Sequence, residues 1–162
     1  MARTKNNSLT YFPLDIAFFN DPRIKRSQVH FGSDGPLLYL QILGRCYGEF
    51  GYYLVADDDF IDDMAMELRC DNERIVSMLD YMIEKKLFDS NSFNSGKIIT
   101  SHGIQSQYQR CKKGSKRDIV VNEKIWILSE EETEGFIKIC GDDSKSVEYC
   151  DISELYSDIS GN

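Results

Sequence analysis

The sequence predicts a mainly α domain with a small β-sheet, a winged helix-turn-helix, followed by an acidic, weakly structured C-terminal extension. Two short amphipathic stretches, "DDDFIDDMAMEL" and "NERIVSMLDYMIEKK", flank the tight connection "RCD", which is a helix-turn-helix pattern. The second stretch runs into "LFD", a Ser/Asn/Gly loop and "KIITS", the order expected of a recognition helix and its wing. Charge then divides the chain. Residues 1–117 carry 16 Lys and Arg against 15 Asp and Glu, whereas residues 118–162 carry 3 against 12. This sets a winged-helix domain over 1–117 and an acidic extension over 118–162.

Each element has a local reason. Pro22 suits the first turn of a helix capped by Asn20 or Asp21, which predicts a helix over about Pro22 to His30 ending at Gly32. The surrounding aromatics Phe12, Phe18, Phe19 and Phe31 are expected in the core. "SDGPLLYLQILGRCYGEF" is apolar on more than one face, so it predicts a central buried helix capped by Ser33 or Asp34 and ended by Gly48 and Gly51. "YYLVA" reads as a short strand.

Three aspartates open the next helix, where carboxylates satisfy orphan N–H groups and oppose the helix dipole. Asp71 is the expected cap of the helix after it, whose Ile75, Met78, Leu79, Met82 and Ile83 share one face. "HGIQSQYQRCKKGSKR" predicts a final helix with a thin stripe of Ile104, Tyr108 and Cys111. Beyond Asp118, "IVVNEKIWIL" and "FIKIC" have strand composition, with "SEEETEG" as a solvated loop between them. Trp126 and its apolar neighbours are expected to pack on the domain or on a partner. "GDDSKSVEYCDISELYSDISGN" reads as a weakly structured tail that either solubilises the chain, or folds back on the basic helix as a DNA mimic or binds a basic partner.

Several function classes are disfavoured. No run approaches the roughly 18 apolar residues of a membrane span. "MARTKNNSLTYF" lacks the apolar region of a secretory signal, so a cytoplasmic protein is expected. The five cysteines are scattered without a C-x-x-C pair, which predicts reduced, unligated thiols and no metal. Asp57, Asp58, Asp59, Asp62 and Asp63 lack the alternating ligands of a calcium loop and read as helix-start carboxylates. Neither a phosphate-cradling G-x-x-x-x-G-K-[ST] loop nor a G-x-S-x-G elbow is present. No catalytic residue, cofactor or enzymatic activity is expected, and His30 and His102 read as structural.

The motifs "YFPLDIAFFND", "RIKR", "HFGSDGPLLYLQILGRCYGEFGYYL", "EKKLFD" and "IITSHGIQSQY" occur in that order over about Leu9 to Arg117. In order and spacing this stretch resembles the N-terminal domain of phage replisome-organiser and replication-initiator proteins from low-GC Gram-positive bacteria. The resemblance implies a winged-helix domain similar to the N-terminal part of DnaD-type primosome proteins. It further implies binding to duplex or single-stranded DNA, self-association, and contact with a replicative helicase or its loader.

A DNA-binding winged helix sends the second helix of its pair into the major groove and sets the wing on the backbone or minor groove. The solvent face of that helix would carry Arg74, Ser77, Tyr81, Lys85 and Lys86, beside Glu73, Asp80 and Glu84, which leave its net charge at zero. The denser feature is "RCKKGSKR", where Arg110, Lys112, Lys113, Lys116 and Arg117 stand without an acid and suit several phosphates. The same cations equally suit a helix C-terminus. Lys97 at the base of the wing, Arg23 to Arg26, Arg3 and Lys5 are secondary candidates. The expected function is therefore a DNA-binding module of a phage replication initiator. The alternative is a protein-interaction winged helix for self-association or helicase-loader contact. A transcriptional regulator fits less well, because no effector pocket or dimer helix is evident.

Overall fold

In the computed structural model, which describes residues 7–141, polar caps set most of the helix starts. Asp21 accepts the N–H of Arg23 at 2.9 Å and opens α1 (Pro22–Phe31). Asp57 accepts from Phe60 at 2.8 Å to start α3 (Asp58–Leu68). Asp71 accepts from Arg74 at 2.8 Å to start α4 (Asn72–Glu84). In each case a side-chain oxygen satisfies an N–H that the first turn leaves unpaired. α2 (Asp34–Gly48) begins after Ser33 without a side-chain cap, with the Asp34 carboxylate in its first turn. α1 ends where the sequence expects, at Gly32, whose φ of 65° is the left-handed conformation that glycine tolerates.

The core is built around α2. Leu38, Ile42 and Cys46 of α2 and Ile75, Met78 and Met82 of α4 are fully buried together. α1 crosses α2 so closely that a Cβ on Gly35 would lie 2.7 Å from the carbonyl oxygen of Ser27, so the crossing requires glycine there. α3 and α4 pack on one another across the turn at Arg69–Asp71, where Arg69 adopts a left-handed φ of 54°. Phe18 joins the core and Phe12 and Phe31 pack half-buried against it. Phe19 does not: it is 58% exposed, because its neighbour Phe18 takes the inward position beside Tyr39.

The hairpin drawn between Leu87–Asp89 and Lys97–Ser101 does not form. The intervening "SNSFNSG" is a helix, α5 (Ser90–Gly96), started by Asp89, which accepts from the backbone N–H of Ser92 at 2.8 Å and from its hydroxyl at 2.7 Å. Ile98–Ile99 (β2) pairs instead with Leu54–Val55 (β1), antiparallel, with Leu54 opposite Ile99 and Val55 opposite Ile98. All four side chains are buried, so this pairing encloses apolar surface that a hairpin to Leu87–Asp89 would leave to other neighbours. One backbone bond, Asp89 N–H to Thr100 O at 2.8 Å, is what joins the two expected arms.

The segment after Asp118 is packed on this core. Ile119–Asn122 (β3) and Ile137–Cys140 (β4) form a parallel pair, with Ile119 opposite Ile137. Ile119, Val121, Ile125, Trp126, Leu128 and Ile137 are buried in the same cluster as α2 and α4. The stretch expected as a weakly structured extension is thus ordered as far as Gly141, because its apolar residues complete the core; the acidic tail beyond lies outside the described residues.

α6 (His102–Lys112) supplies the stitching. The buried Gln105 amide donates to Ile125 O at 2.9 Å and to Thr100 Oγ1 at 3.0 Å, while its oxygen accepts from Ile127 N–H at 2.8 Å. The acidic loop is held in turn by Gln109, which donates to Glu132 O at 2.7 Å and accepts from Glu134 N–H at 3.1 Å.

Candidate nucleic-acid interface

The cations predicted at the end of the last helix do come together. α6 ends at Lys112, so only the first three residues of "RCKKGSKR" are helical. Gly114 makes the reversal with a φ of 91°. Arg110, Lys113, Lys116 and Arg117 are exposed, and among the described residues none is paired with a carboxylate. Lys112 differs from them. Its ammonium donates to Ser8 O at 3.1 Å, and burial pushes its pKa below the ordinary lysine value. It ties the N-terminal arm to α6.

The second helix of the pair presents a different face from the one expected. Arg74 turns inward: it donates through Nε to Asp34 Oδ2 at 3.2 Å and through a terminal nitrogen to Phe31 O at 2.8 Å, over the Phe31 ring. Tyr81 packs its ring between His30 (4.9 Å) and Phe31 (5.4 Å), and its buried hydroxyl has no hydrogen-bond partner among the described residues. Lys85 lies over the Tyr81 ring and beside Glu84 at 3.3 Å. Ser77 and Lys86 remain exposed. Lys86 O accepts from Arg23 at 3.0 Å, and Arg23 is itself bound to Asp21. Lys97 is exposed at the end of α5, where it takes a left-handed φ of 54°. Arg3 and Lys5 lie outside the described residues.

Several other titratable groups have structural partners. His102 Nε2 lies 2.7 Å from Glu132 Oε1, and that hydrogen bond, with those from Ser129, holds the Glu132 carboxyl below its ordinary range. Of the clustered aspartates, Asp57 caps α3, Asp63 pairs with Arg45 at 3.1 Å and Asp62 accepts from Asn72 at 2.6 Å. Among the described residues no group of His, Cys, Asp and Glu is arranged to hold a metal ion. No helix among them is long and apolar enough to cross a membrane.

One feature that sequence reasoning missed is the N-terminal arm. Leu9 N–H donates to Tyr47 O at 2.7 Å, and Asn7 Nδ2 donates to Val120 O at 3.3 Å. Gly51, with a φ of 94°, admits Asn7 where a Cβ would lie 2.1 Å from its carbonyl oxygen. Phe12 packs on Tyr47, whereas Tyr11 is 81% exposed beside the end of α6. The only signal in the sequence was the density of aromatics around Phe12, which exceeds what a short arm can bury.

The arrangement defines a small, mainly helical domain in which α3 and α4 pack across a short turn, with a run of exposed cations at the end of α6. Residues 11–104 match the family model described as "Lin1244/Lin1753-like, N-terminal", which is more than half of the chain. The chain belongs to this family. It is also 28% identical over 125 residues to an uncharacterized phage-related protein, Lin1244/Lin1753, of Listeria innocua, in agreement with the phage resemblance. That alignment covers 77% of this chain and 41% of the relative, so the chain spans about two-fifths of its length. No solved structure matches the chain.

Proposed function

We propose that this chain is a non-enzymatic, cytoplasmic DNA-binding module of the helix-turn-helix, DnaD-like type, with α5 in place of the expected wing hairpin, from a phage or prophage replication initiator or replisome organiser. The observation that carries the reading is the edge at Arg110, Lys113, Lys116 and Arg117, where exposed cations stand without a paired carboxylate among the described residues. Cations unpaired within the protein keep their charge for phosphates and release condensed counterions when they bind them. Family membership and the α3–α4 pair support the same reading. Ser77, Lys85, Lys86 and Lys97 are lesser contacts, and Arg74 and Tyr81 act as supports of the fold.

A second reading is favoured by α4 itself. Its Arg74 is bound to Asp34, and Glu73, Asp80 and Glu84 lie along it. Such a face suits a protein partner, either a second copy or a helicase or its loader, better than phosphate. Reversing Lys113, Lys116 and Arg117 together to Glu separates the two. The DNA reading expects affinity to fall by at least roughly tenfold with self-association unchanged. Undiminished DNA binding would remove this edge from the interface.

A further inference from the structure

The cationic edge adjoins a cleft of about 530 Å³ between the N-terminal arm and the last turns of α6. That volume lies within the roughly 300–1,000 Å³ of small-ligand sites. Tyr11 and Pro13 form one wall, and Gln107, Arg110, Cys111 and Lys112 the other. Among the described residues no carboxylate lines it. The cleft at the start of α3 differs, since Glu49, Asp57, Asp59 and Asp63 line it beside the single cation Arg45, which pairs with Asp63.

We infer that this cleft takes one unstacked nucleotide of a single strand, with the base on the Tyr11 ring and a flanking phosphate on Arg110. The inference rests on the nucleic-acid reading above and names the strand form that this part of the edge selects. The Tyr11 ring is 81% exposed, yet the arm that carries it is held by Leu9 N–H on Tyr47 O and by Lys112 on Ser8 O. An exposed aromatic on a pinned backbone is a preordered platform, and every base offers a π-face to it whatever the sequence. Arg110 has no ion-pair partner among the described residues, and the Gln107 side-chain oxygen is available to a base edge. A duplex keeps its base faces stacked inside and presents none of them to the cleft.

The test is fluorescence anisotropy of the whole chain with a labelled oligothymidylate and with a duplex of equal length. Tyr11→Ala is expected to weaken single-strand binding by roughly tenfold and duplex binding by less than about twofold, with Tyr11→Phe restoring the single-strand affinity. Because the ring is exposed, the thermal midpoint of Tyr11→Ala should match that of the unaltered chain, which separates lost stacking from lost folding. Equal single-strand binding by the unaltered chain and Tyr11→Ala would overturn the inference and leave the DNA reading standing. Absence of binding to either strand form by the unaltered chain would overturn both.

Discussion

Arg74 and Asp34 join the first turn of α4 to the start of α2, with Arg74 Nε 3.2 Å from Asp34 Oδ2. The guanidinium also reaches Phe31 O at 2.8 Å, so two of its five N–H donors are engaged by the fold. Arg74→Ala should therefore lower stability by about 1 kcal/mol, the scale of a partly exposed ion pair plus a charge-assisted hydrogen bond. DNA affinity should change by less than about twofold. Urea unfolding and anisotropy titration of the same variant check both parts. A tenfold loss of affinity at unchanged stability would return Arg74 to the interface.

Gln105 tests whether the segment after Asp118 folds with the rest. Its amide satisfies Ile125 O and Ile127 N–H in a buried setting, and Trp126 lies between those two residues. Gln105→Ala leaves buried backbone groups unpaired, at a cost of about 2–3 kcal/mol. Trp126 is the sole tryptophan, so its emission reports on this segment alone while far-ultraviolet circular dichroism reports on the helices. One shared transition, shifted to lower urea, is expected for the two signals. A tryptophan transition separated from the helical one in the unaltered chain would show that residues 119–141 fold independently.

Much of this fold is legible in the sequence. Asp21, Asp57 and Asp71 each precede a helical apolar period, so α1, α3 and α4 could be placed from their caps. α5 was not legible, because Ser, Asn and Gly are turn residues by composition and only the Asp89 cap and the packing of Phe93 make them a helix. The pairing of Leu54 with Ile99 is equally silent in sequence, since no periodicity links positions that far apart. The site was half legible. A run of cations is visible in one dimension, but that Arg74 faces Asp34, and that Tyr11 stands beside Arg110, are facts of tertiary packing.

The acidic loop should respond to acid in a defined direction. The hydrogen bonds from His102 and from Ser129 hold the Glu132 carboxyl below its ordinary value of 4.5. A lowered carboxyl stabilises the fold fully above its unfolded value, and that contribution is lost as pH falls through the folded value. Loosening of the loop is thus expected below about pH 4.5, and Trp126, whose indole N–H donates to Thr133 Oγ1 at 2.9 Å, should report it. Glu132→Gln should flatten this dependence when emission is followed from neutral to acid. An unchanged acid response in that variant would place its origin elsewhere.

The most direct measurement is the salt dependence of DNA binding by the whole chain. With Arg110, Lys113, Lys116 and Arg117 on phosphates, log affinity should fall against log salt with a slope near −3 to −4, at about −0.9 per phosphate on duplex. A single strand should give a slope near −3, at about −0.7 per phosphate. A slope near zero, or no binding at low salt, would contradict a phosphate-directed edge and leave the helix-turn-helix face as a surface for a protein partner.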